Sequence, residues 1–510
     1  MNGFCFENTH TENELAAVRK RFDGTGLYLF LALGLLPLVF YNGYFDITET
    51  KTLFFVCISL IFLLIRLVLF IQSGSQTDGI GDTSICAAAF PFVLSLGSLM
   101  ASLSSGFFRD SFLGISGRYQ GTGMILLYAL VYYAFPEHKT RDMEVMLPLG
   151  FGLLLSSALA VLDHFGADPL GLSASLGGFD RQRYISTLGN INFAGAYLCL
   201  AVPAAARFLL SSKKRSLWSV FAGASFAVGL CAAMACRSEC TVLGIGAAVV
   251  LMPFTMRKDP EALRRWGLLL TGIAVTMQLY ALTALRAGAW FSSITEALLH
   301  PAVSAGIGIF GGVWFLVLSK RTGFEKRVLQ CYGAALAICA LASVILLYLL
   351  NTCWRDVPLG SAGPWLHFSN SWGTDRILIW RHCISFYREF SPWEKLFGGG
   401  CGILARLDVY KRIFPDAVLD AAHNEYLQIL LNWGAVGLAA YIGWIVTAFA
   451  GAFRNGSVLS MSILCGLAGY TIQAGVNIAQ APGIMLFFVL LAAAKSADTE
   501  RGMENAEAVS

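Results

Sequence analysis

Apolar stretches recur along the whole chain of 510 residues, and they constrain the fold more than any other feature of the sequence. Most of them approach the ~20 residues that an α-helix needs to cross the ~30 Å hydrocarbon core of a bilayer. In lipid every backbone polar group must be bonded within the protein, and a helix achieves this within one segment. The sequence therefore predicts an all-α polytopic membrane protein with about 14 (12–14) transmembrane helices. The predicted spans are 26–45, 52–71, 84–104, 121–135, 143–162, 191–210, 217–235, 239–256, 266–285, 302–319, 329–350, 427–449, 458–477 and 482–494.

The composition supports this class. Apolar residues make up 56% of the chain and charged residues 13%, whereas a soluble domain carries ~25% charged residues. The formal net charge of +4 comes from basic residues between the predicted spans. We therefore expect the lipid bilayer as a partner and no nucleic acid.

The distribution of lysine and arginine predicts the orientation, because connections on the cytoplasmic side carry more of both. The start Met1–Glu14 is polar and acidic, and no cleavable signal peptide is apparent, so the N-terminus is predicted to be cytoplasmic. The predicted organisation is a cytoplasmic tail 1–25, helices 1–11 within 26–350, a large extracytoplasmic loop 351–426, helices 12–14 within 427–494 and a cytoplasmic tail 495–510. The basic residues on the predicted cytoplasmic side are Arg19, Lys20, Arg21, Lys139, Arg141, Lys213, Lys214, Arg215, Arg257, Lys258, Arg264, Arg265, Lys320, Arg321, Lys326, Arg327, Arg454, Lys495 and Arg501. The short outside connections carry Lys51, Arg109, Arg118, Arg181, Arg183, Arg237 and Arg286.

The loop 351–426 is the longest connection, and long connections are usually functional or disordered. It is rich in tryptophan and contains a helical pattern over 374–390, so we expect it to pack as a lid on the membrane surface. Cys353, Cys383 and Cys401 share it, and the sequence does not decide whether two of them form a disulfide.

A polar cluster around His423 runs directly into the apolar segment that starts at 427. Ionisable groups at such a depth are costly and usually functional. Asp420 fits an N-cap, which would place His423 in the first turn of the helix. The positive helix end there favours a neutral imidazole, which can accept a proton from a hydroxyl. The alternative is a polar residue that only starts the helix.

Three arginines on the predicted outer side are candidate phosphate ligands, because guanidinium groups bind phosphate oxygens in pairs. Arg376 lies one helical turn before Trp380, Arg237 lies in a very short turn between two spans, and Arg118 precedes another span. The alternatives are a solvated Arg376 paired with Asp375 or Glu389, an interfacial anchor at Arg237 and a snorkelling Arg118.

A glycine run, Gly398-Gly399-Gly400-Cys401-Gly402, indicates a tight backbone that approaches another group closely. No Lys-Ser/Thr pair follows it, which excludes a nucleotide P-loop.

Taken in order, these segments resemble the O-antigen ligase / O-antigen polymerase family of bacterial membrane glycosyltransferases. Two departures are that Ile191 replaces a frequent proline and that Glu239 and Cys240 follow Arg237 where small or aromatic residues are usual. The acidic Glu239 would partly neutralise Arg237. The matching segments, spread over about 115–445, are Gly117–Gly121, Thr187–Phe193, Arg237-Ser238, Arg376–Trp380, Phe397–Gly402 and Ala422–Leu427 with Gly434 and Gly437.

The resemblance implies a fold like the GT-C class and transfer of a glycan from a polyprenyl-diphosphate carrier to an acceptor hydroxyl outside the cytoplasm. The acceptor would be a lipid, a growing polysaccharide or a protein, and the protein would lie in the bacterial cytoplasmic (inner) membrane. The family's functional residues are carried to His423 as the catalytic residue and to Arg376 and Arg237 as diphosphate ligands.

Further candidates come from the residues around these motifs. Arg118 is a candidate diphosphate ligand, and the possible substrate-binding residues are Asn190, Asn192, Trp380, Asn424 and Glu425. The two asparagines near 191 more often cap a helix, and Glu425 either pairs with an arginine or takes part in chemistry. We expect no cofactor and no metal, because the outer connections show no Asp-x-Asp and no tight acidic cluster.

Other functions stay open at this point. A flippase or transporter of lipid-linked glycans would show charges buried within spans and repeated broken helices, which are nearly absent here. A peptidoglycan polymerase is a third possibility, although its motifs are not evident. Within the family, the sequence does not choose among ligase, polymerase and protein O-glycosylation.

Overall fold

The computed structural model describes residues 23–72, 84–136, 140–174, 176–212, 216–288, 291–320, 323–411 and 419–497. It is 78% helical with almost no strand, which confirms the prediction of an all-α polytopic membrane protein. Tyr184–Ile185 and Gly189–Asn190 form a short antiparallel pair. The helical segments are Thr25–Leu29, Phe30–Leu35 (π), Leu36–Leu38 (3₁₀), Ile47–Gln72, Ser84–Ser104, Phe108–Leu113, Thr122–Ala134, Asp142–His164, Gly178–Arg181, Ser186–Leu188 (3₁₀), Ile191–Ser211, Leu217–Ala235, Glu239–Leu251, Met252–Met256 (3₁₀), Pro260–Arg286, Ser293–Leu299, Pro301–Lys320, Glu325–Asn351, Gly360–Ala362 (3₁₀), Gly363–Leu366, Trp372–Glu389, Pro392–Phe397, Ile403–Lys411, Glu425–Asn455, Val458–Ala474 and Gly483–Ser496.

Each of the fourteen predicted apolar segments contains a helix. Among the described residues, nine helices are long and apolar enough to cross a membrane, and five shorter apolar helices accompany them. Helix Ile191–Ser211 is almost entirely buried and lies at the centre of the bundle, whereas helix Glu325–Asn351 is mostly exposed on its outside.

Contacts between distant segments show which helix ends lie together. Arg118 donates to Asp420 (2.9 and 2.8 Å), and the Tyr44 hydroxyl donates to Asp163 (3.2 Å). Tyr184 connects these pairs, because its ring centre lies 5.0 Å from that of Tyr44 and it is within electrostatic range of Arg118. We call this end of the bundle, defined by these five residues, the site end.

A second set of contacts defines the opposite end. Ser211 donates to Asp259 (2.9 Å), and Asn455 donates to the carbonyl oxygen of Ala497 (3.0 Å). These contacts join connections that the distribution of lysine and arginine assigns to the cytoplasmic side. Several basic residues of that pattern lie outside the described residues: Arg19, Lys20, Arg21, Lys139, Lys213, Lys214, Arg215, Arg321 and Arg501.

The sequence placed Lys51 in a short connection on the outer side, but it lies in helix Ile47–Gln72. It is fully buried, and its Nζ donates to the carbonyl oxygens of Leu36 (2.9 Å), Pro37 (2.9 Å) and Val39 (2.7 Å). The first helix ends there in a 3₁₀ turn, where the Leu36 oxygen also accepts from the Val39 amide (3.4 Å) and the Pro37 oxygen from the Thr187 hydroxyl (2.9 Å). A cation at the negative end of a helix satisfies them.

The connection between Asn351 and Glu425 is largely helical. The predicted helix over 374–390 is present as Trp372–Glu389, although Gly373, Thr374 and Asp375 have left-handed backbone angles and the regular part begins at Arg376. One face of this helix is apolar at helical spacing and is buried against the start of the next long helix. The buried residues of this cluster are Ile379, Cys383, Phe386, Phe390, Leu404, Leu419, Ala422 and Leu431.

The long helix that follows this connection is broken at Gly434 (φ 67°, ψ −168°). The glycine run fills the break, because the amide of Gly399 donates to the carbonyl oxygen of Leu431 (2.9 Å) and that of Gly400 to Asn432 (3.0 Å). A Cβ at Gly434 would lie 2.3 Å from the carbonyl oxygen of Leu396, just before this run, so the two backbones meet without side chains between them. The close approach predicted for the glycines is therefore an approach to a helix.

The same run also supports the turn that carries Arg118. The amide of Cys401 donates to Ser111 Oγ (2.9 Å), and its thiol donates to the carbonyl oxygen of Gln120 (3.3 Å). The long connection thereby joins the first third of the chain to the segment that precedes His423.

Candidate active site

His423 lies immediately before the long helix and has a positive φ of 49°, a conformation that is uncommon for a residue other than glycine. The backbone of its neighbour Ala422 is held by two side chains. The indole Nε1 of Trp380 donates to the Ala422 carbonyl oxygen (3.0 Å), and the Ala422 amide donates to Gln428 Oε1 (2.8 Å). Trp380, predicted as a possible substrate contact, thus holds the backbone next to His423.

The helix begins differently from the prediction. Asn424 is the N-cap, because its side chain accepts a hydrogen bond from the amide of Leu427 (3.0 Å), and the helix starts at Glu425. Asp420 does not cap it, since its carboxylate is turned to Arg118. His423 therefore stands just outside the first turn.

The imidazole of His423 is nevertheless kept neutral. Its pKa is lowered to about 4, first by burial, then by the nearby charges of Arg376 and Arg118, while Asp420 acts in the opposite direction. Burial and like charges both disfavour the imidazolium. Arg376 and Arg118 are far apart in the sequence, yet both are close enough to His423 to affect its pKa.

Arg376 stands at the start of the regular part of its helix. Its Nη1 donates to the Gly373 carbonyl oxygen (2.9 Å), and its Nη2 lies 3.6 Å from the Cys240 thiol. Its Nε is buried and has no hydrogen-bond partner in the described part of the chain. Within that part it forms no ion pair with Asp375 or Glu389, so this alternative is not what the structure shows.

Arg118 uses its guanidinium in a bidentate pair with Asp420, with Nε and Nη2 each donating to one carboxylate oxygen. Both side chains are partly exposed. A phosphate at Arg118 would therefore share it with Asp420 or displace that carboxylate. The pair also connects the Arg118 turn to the segment of His423.

Arg237 occupies the turn between two spans with a φ of 53°. It lines a cavity of about 280 Å³ together with Asp163 and His164. Burial lowers its pKa, while neighbouring groups that include Asp163 oppose this, and an arginine stays protonated at neutral pH. Glu239, which was expected to offset Arg237, is within electrostatic range of Arg376.

Asn190 and Asn192 support this turn. Asn190 is the N-cap of the central helix, since its side chain accepts from the amide of Asn192 (2.9 Å). Asn192 accepts from Ser238 Oγ (2.9 Å) through its side chain and from Asn477 Nδ2 (3.0 Å) through its carbonyl oxygen. Both asparagines therefore have structural partners, and Asn192 fixes the residue after Arg237.

Glu425 is fully buried and accepts hydrogen bonds from the hydroxyl groups of Tyr441 and Tyr470, the latter at 2.9 Å. No arginine in the described part of the chain pairs with it, which was the alternative that the sequence left open. A smaller cavity of about 80 Å³ runs from the Arg118–Asp420 pair past Glu425, and most of its wall is apolar.

The sequence missed the residues that surround Arg237. Asp163 and His164 directly follow the predicted span 143–162, and Tyr44 and Tyr184 face the same cavity. An ionisable pair at the end of an apolar run is the same signal that indicated His423, so it was available. The sequence does not show that the connections carrying Tyr44, Tyr184 and Arg237 meet beside Asp163 and His164.

Cys353, Cys383 and Cys401 are free thiols, so no disulfide joins them in the structure. No group of three or more His, Cys, Asp and Glu side chains is arranged to hold a metal ion within the described residues.

Comparison with known proteins adds an independent finding. No curated protein matches the chain. Residues 301–442 match the model of a family described as O-antigen ligase. This segment contains Arg376, Trp380 and His423, whereas Arg118 and Arg237 precede it. This match supports the predicted resemblance to the O-antigen ligase family, a family of membrane enzymes that transfer glycans.

Proposed function

We propose that the protein is a glycosyltransferase that moves a glycan from a polyprenyl diphosphate to an acceptor hydroxyl on the outer face of the cytoplasmic membrane. The observation that carries this proposal is the position of the partly buried His423, next to the hydrogen-bonded Ala422 backbone and within electrostatic range of Arg376 and Arg118 at one end of the helix bundle. A base close to fixed cations suits the transfer of a sugar away from a diphosphate.

The reaction balances with these groups. The imidazole of His423 accepts the proton of the acceptor hydroxyl as its oxygen forms a bond to the anomeric carbon of the donor sugar. The bond between that carbon and the diphosphate oxygen breaks, and the electron pair leaves with the diphosphate. Arg376 and Arg237 stabilise the negative charge that develops on the departing oxygen.

The arginines are suited to this task by their position. Arg376 has an unbonded Nε, and its two contacts with Gly373 and Cys240 leave further N–H groups to donate. Arg376 contacts Cys240, which follows Arg237 by three residues, so both arginines belong to the surroundings of one short turn. A diphosphate bound at this turn could be contacted by both.

The structure gives little support to the alternative that the protein is a transporter. A transporter places broken helices around a site in the middle of the membrane. The break at Gly434 is instead filled by backbone amides of the glycine run. The buried Lys51 is bonded to carbonyl oxygens and the buried Glu425 to tyrosine hydroxyls, so both charges have partners within the protein.

The direct test is reconstitution of the purified protein with a polyprenyl-diphosphate glycan and one candidate acceptor at a time. A glycan, a lipid and a protein acceptor are the three classes to compare. Sugar gained by one class identifies a polymerase, a ligase or a protein glycosylating enzyme, respectively. Transport of the donor across vesicles without transfer to any acceptor would contradict the proposal.

The pH profile of transfer tests the role of His423. Neutral imidazole is present above its pKa, so kcat/KM is expected to fall as the pH drops through about 4. A bound diphosphate is anionic and favours the imidazolium, so the acid limb of kcat should lie at higher pH than that of kcat/KM. The profile is measured with a return to pH 7 to exclude irreversible unfolding. Identical acid limbs for the two parameters would contradict this assignment.

Labelling tests the outward orientation of the site end. Asn370 is exposed in the long connection, and Lys258 is exposed at the opposite end of the bundle. In a background without native cysteines, Asn370→Cys should react with an impermeant thiol reagent in intact cells. Lys258→Cys, as the matched control, should react only after lysis. The reverse result would place the site in the cytoplasm and end the proposed reaction.

A further inference from the structure

The cavity beside Arg237 has no role in the reaction described so far. Its volume of about 280 Å³ is close to the lower limit of small-molecule sites, ~300 Å³. It lies between the end of helix Asp142–His164, the connection after that helix and the Arg237 turn. Its wall includes Tyr44, Asp163, His164, Asp168, Arg181 and Tyr184.

We propose that this cavity binds the sugar residue that is joined to the diphosphate of the donor. The inference rests on the proposed function, which supplies a donor with a diphosphate. It assigns the sugar, and not the phosphates, to the interior of the cavity.

Asp163 offers an acceptor for a sugar hydroxyl. Its Oδ2 accepts from the hydroxyl of Tyr44 (3.2 Å) and from the amide of Ser186 (2.5 Å). Its Oδ1 accepts no hydrogen bond from the residues that the structure describes. A carboxylate is acceptor-only and accommodates about four donors over its two oxygens, so Asp163 has capacity left.

The formal charges of the lining offset each other, since Asp163 and Asp168 are matched by Arg181 and Arg237. Such a lining suits an uncharged ligand more than a polyanion. A sugar ring carries no charge and donates through its hydroxyl groups. The polyanionic part of the donor therefore fits the arginines, and the uncharged part fits the cavity.

The aromatic residues fit a sugar as well. The rings of Tyr44 and Tyr184 lie 5.0 Å apart with an angle of 34° between their planes. Such rings provide apolar area with a hydroxyl at one edge, which suits a ligand with apolar C–H faces and polar rims. His164 adds a buried Nε2 that has no hydrogen-bond partner among the described residues.

The cavity is also in the right place. Arg237 is part of its wall, and His164 is within electrostatic range of Arg237. On another side, Tyr184 is within electrostatic range of Arg118, which in turn acts on His423. A sugar in the cavity is thereby adjacent to the proposed diphosphate site and lies at the same end of the bundle as the proposed base.

Binding measurements on the full-length protein in lipid nanodiscs test this inference. The two probes are polyprenyl diphosphate and polyprenyl diphosphate that carries one sugar. The wild-type protein should bind the sugar-bearing probe more tightly. Asp163→Asn should weaken binding of that probe about tenfold or more, because a hydrogen bond to a charged group is lost. Binding of polyprenyl diphosphate should stay the same or become tighter, since a repelling charge is removed.

Asp180→Asn is the matched control, because Asp180 belongs to the same connection and does not line the cavity. It should leave both affinities unchanged. An equal loss on both probes in Asp163→Asn, or no loss on either, would overturn the inference. If the wild-type protein binds neither probe, the proposed function fails instead.

A second pair of variants covers the case in which Asp163→Asn does not fold. Tyr184→Phe keeps the ring, whereas Tyr184→Ala removes it. The sugar-bearing probe should bind normally to the first variant and several-fold more weakly to the second. Equal binding of this probe by both variants would remove the aromatic wall from sugar recognition.

Discussion

His423→Ala is expected to reduce transfer by ~10²–10⁴-fold, which is the usual contribution of a positioned general base. The imidazole is partly buried and kept neutral by its surroundings, and its residue stands between the hydrogen-bonded Ala422 and the helix cap Asn424. Without it, the acceptor hydroxyl has no group to accept its proton. Binding of the lipid-linked donor should survive, because the arginines bind the diphosphate.

The backbone at His423 calls for a second variant. Its φ of 49° is unfavourable for alanine but tolerated by asparagine, so His423→Asn changes the chemistry without adding backbone strain. Both variants should insert normally and lose transfer to a similar degree. Transfer by His423→Asn at the wild-type rate would show that a hydrogen-bonding side chain suffices and that no base acts here. Loss of insertion in both would indicate a structural cap.

The fold was largely predictable because lipid restricts the choice. An apolar run near the required length has one stable solution, and the predicted segments are helical. The irregular parts were not predictable in the same way. Lys51 is buried because the first helix ends at Leu36–Leu38, and no local pattern signals that three carbonyl groups of this turn accept from one lysine.

The site was predictable only as separate pieces. His423 and Arg376 were indicated by their local settings, and the structure brings them together. The Arg118–Asp420 pair joins residues that are 302 positions apart, and the sequence read Asp420 as a helix cap because that explanation is local. The cavity at Arg237 forms where the connections that carry Tyr44, Tyr184 and Arg237 meet. The hydrophobic pattern of the sequence does not specify this meeting.

The second large effect is expected from Arg376→Lys. The substitution keeps the charge but replaces a planar fork with a single ammonium group. The lysine cannot contact Gly373, Cys240 and a phosphate oxygen at once, as the guanidinium can. Each lost charge-assisted hydrogen bond contributes ~1.5–3 kcal/mol. We therefore expect kcat/KM to fall by about 10- to 150-fold for each such bond made in the transition state.

Arg381→Lys is the matched control for this substitution. Arg381 lies on the same helix, is exposed, and donates to Asn370 (2.7 Å) without reaching His423 or the Arg237 turn. It should transfer at the wild-type rate. Arg376→Lys should also bind polyprenyl diphosphate more weakly, because the same fork binds the ground state. Normal transfer by Arg376→Lys would mean that charge alone matters at this position. A loss of transfer with unchanged diphosphate affinity would show that Arg376 acts only on the charge that develops as the diphosphate departs.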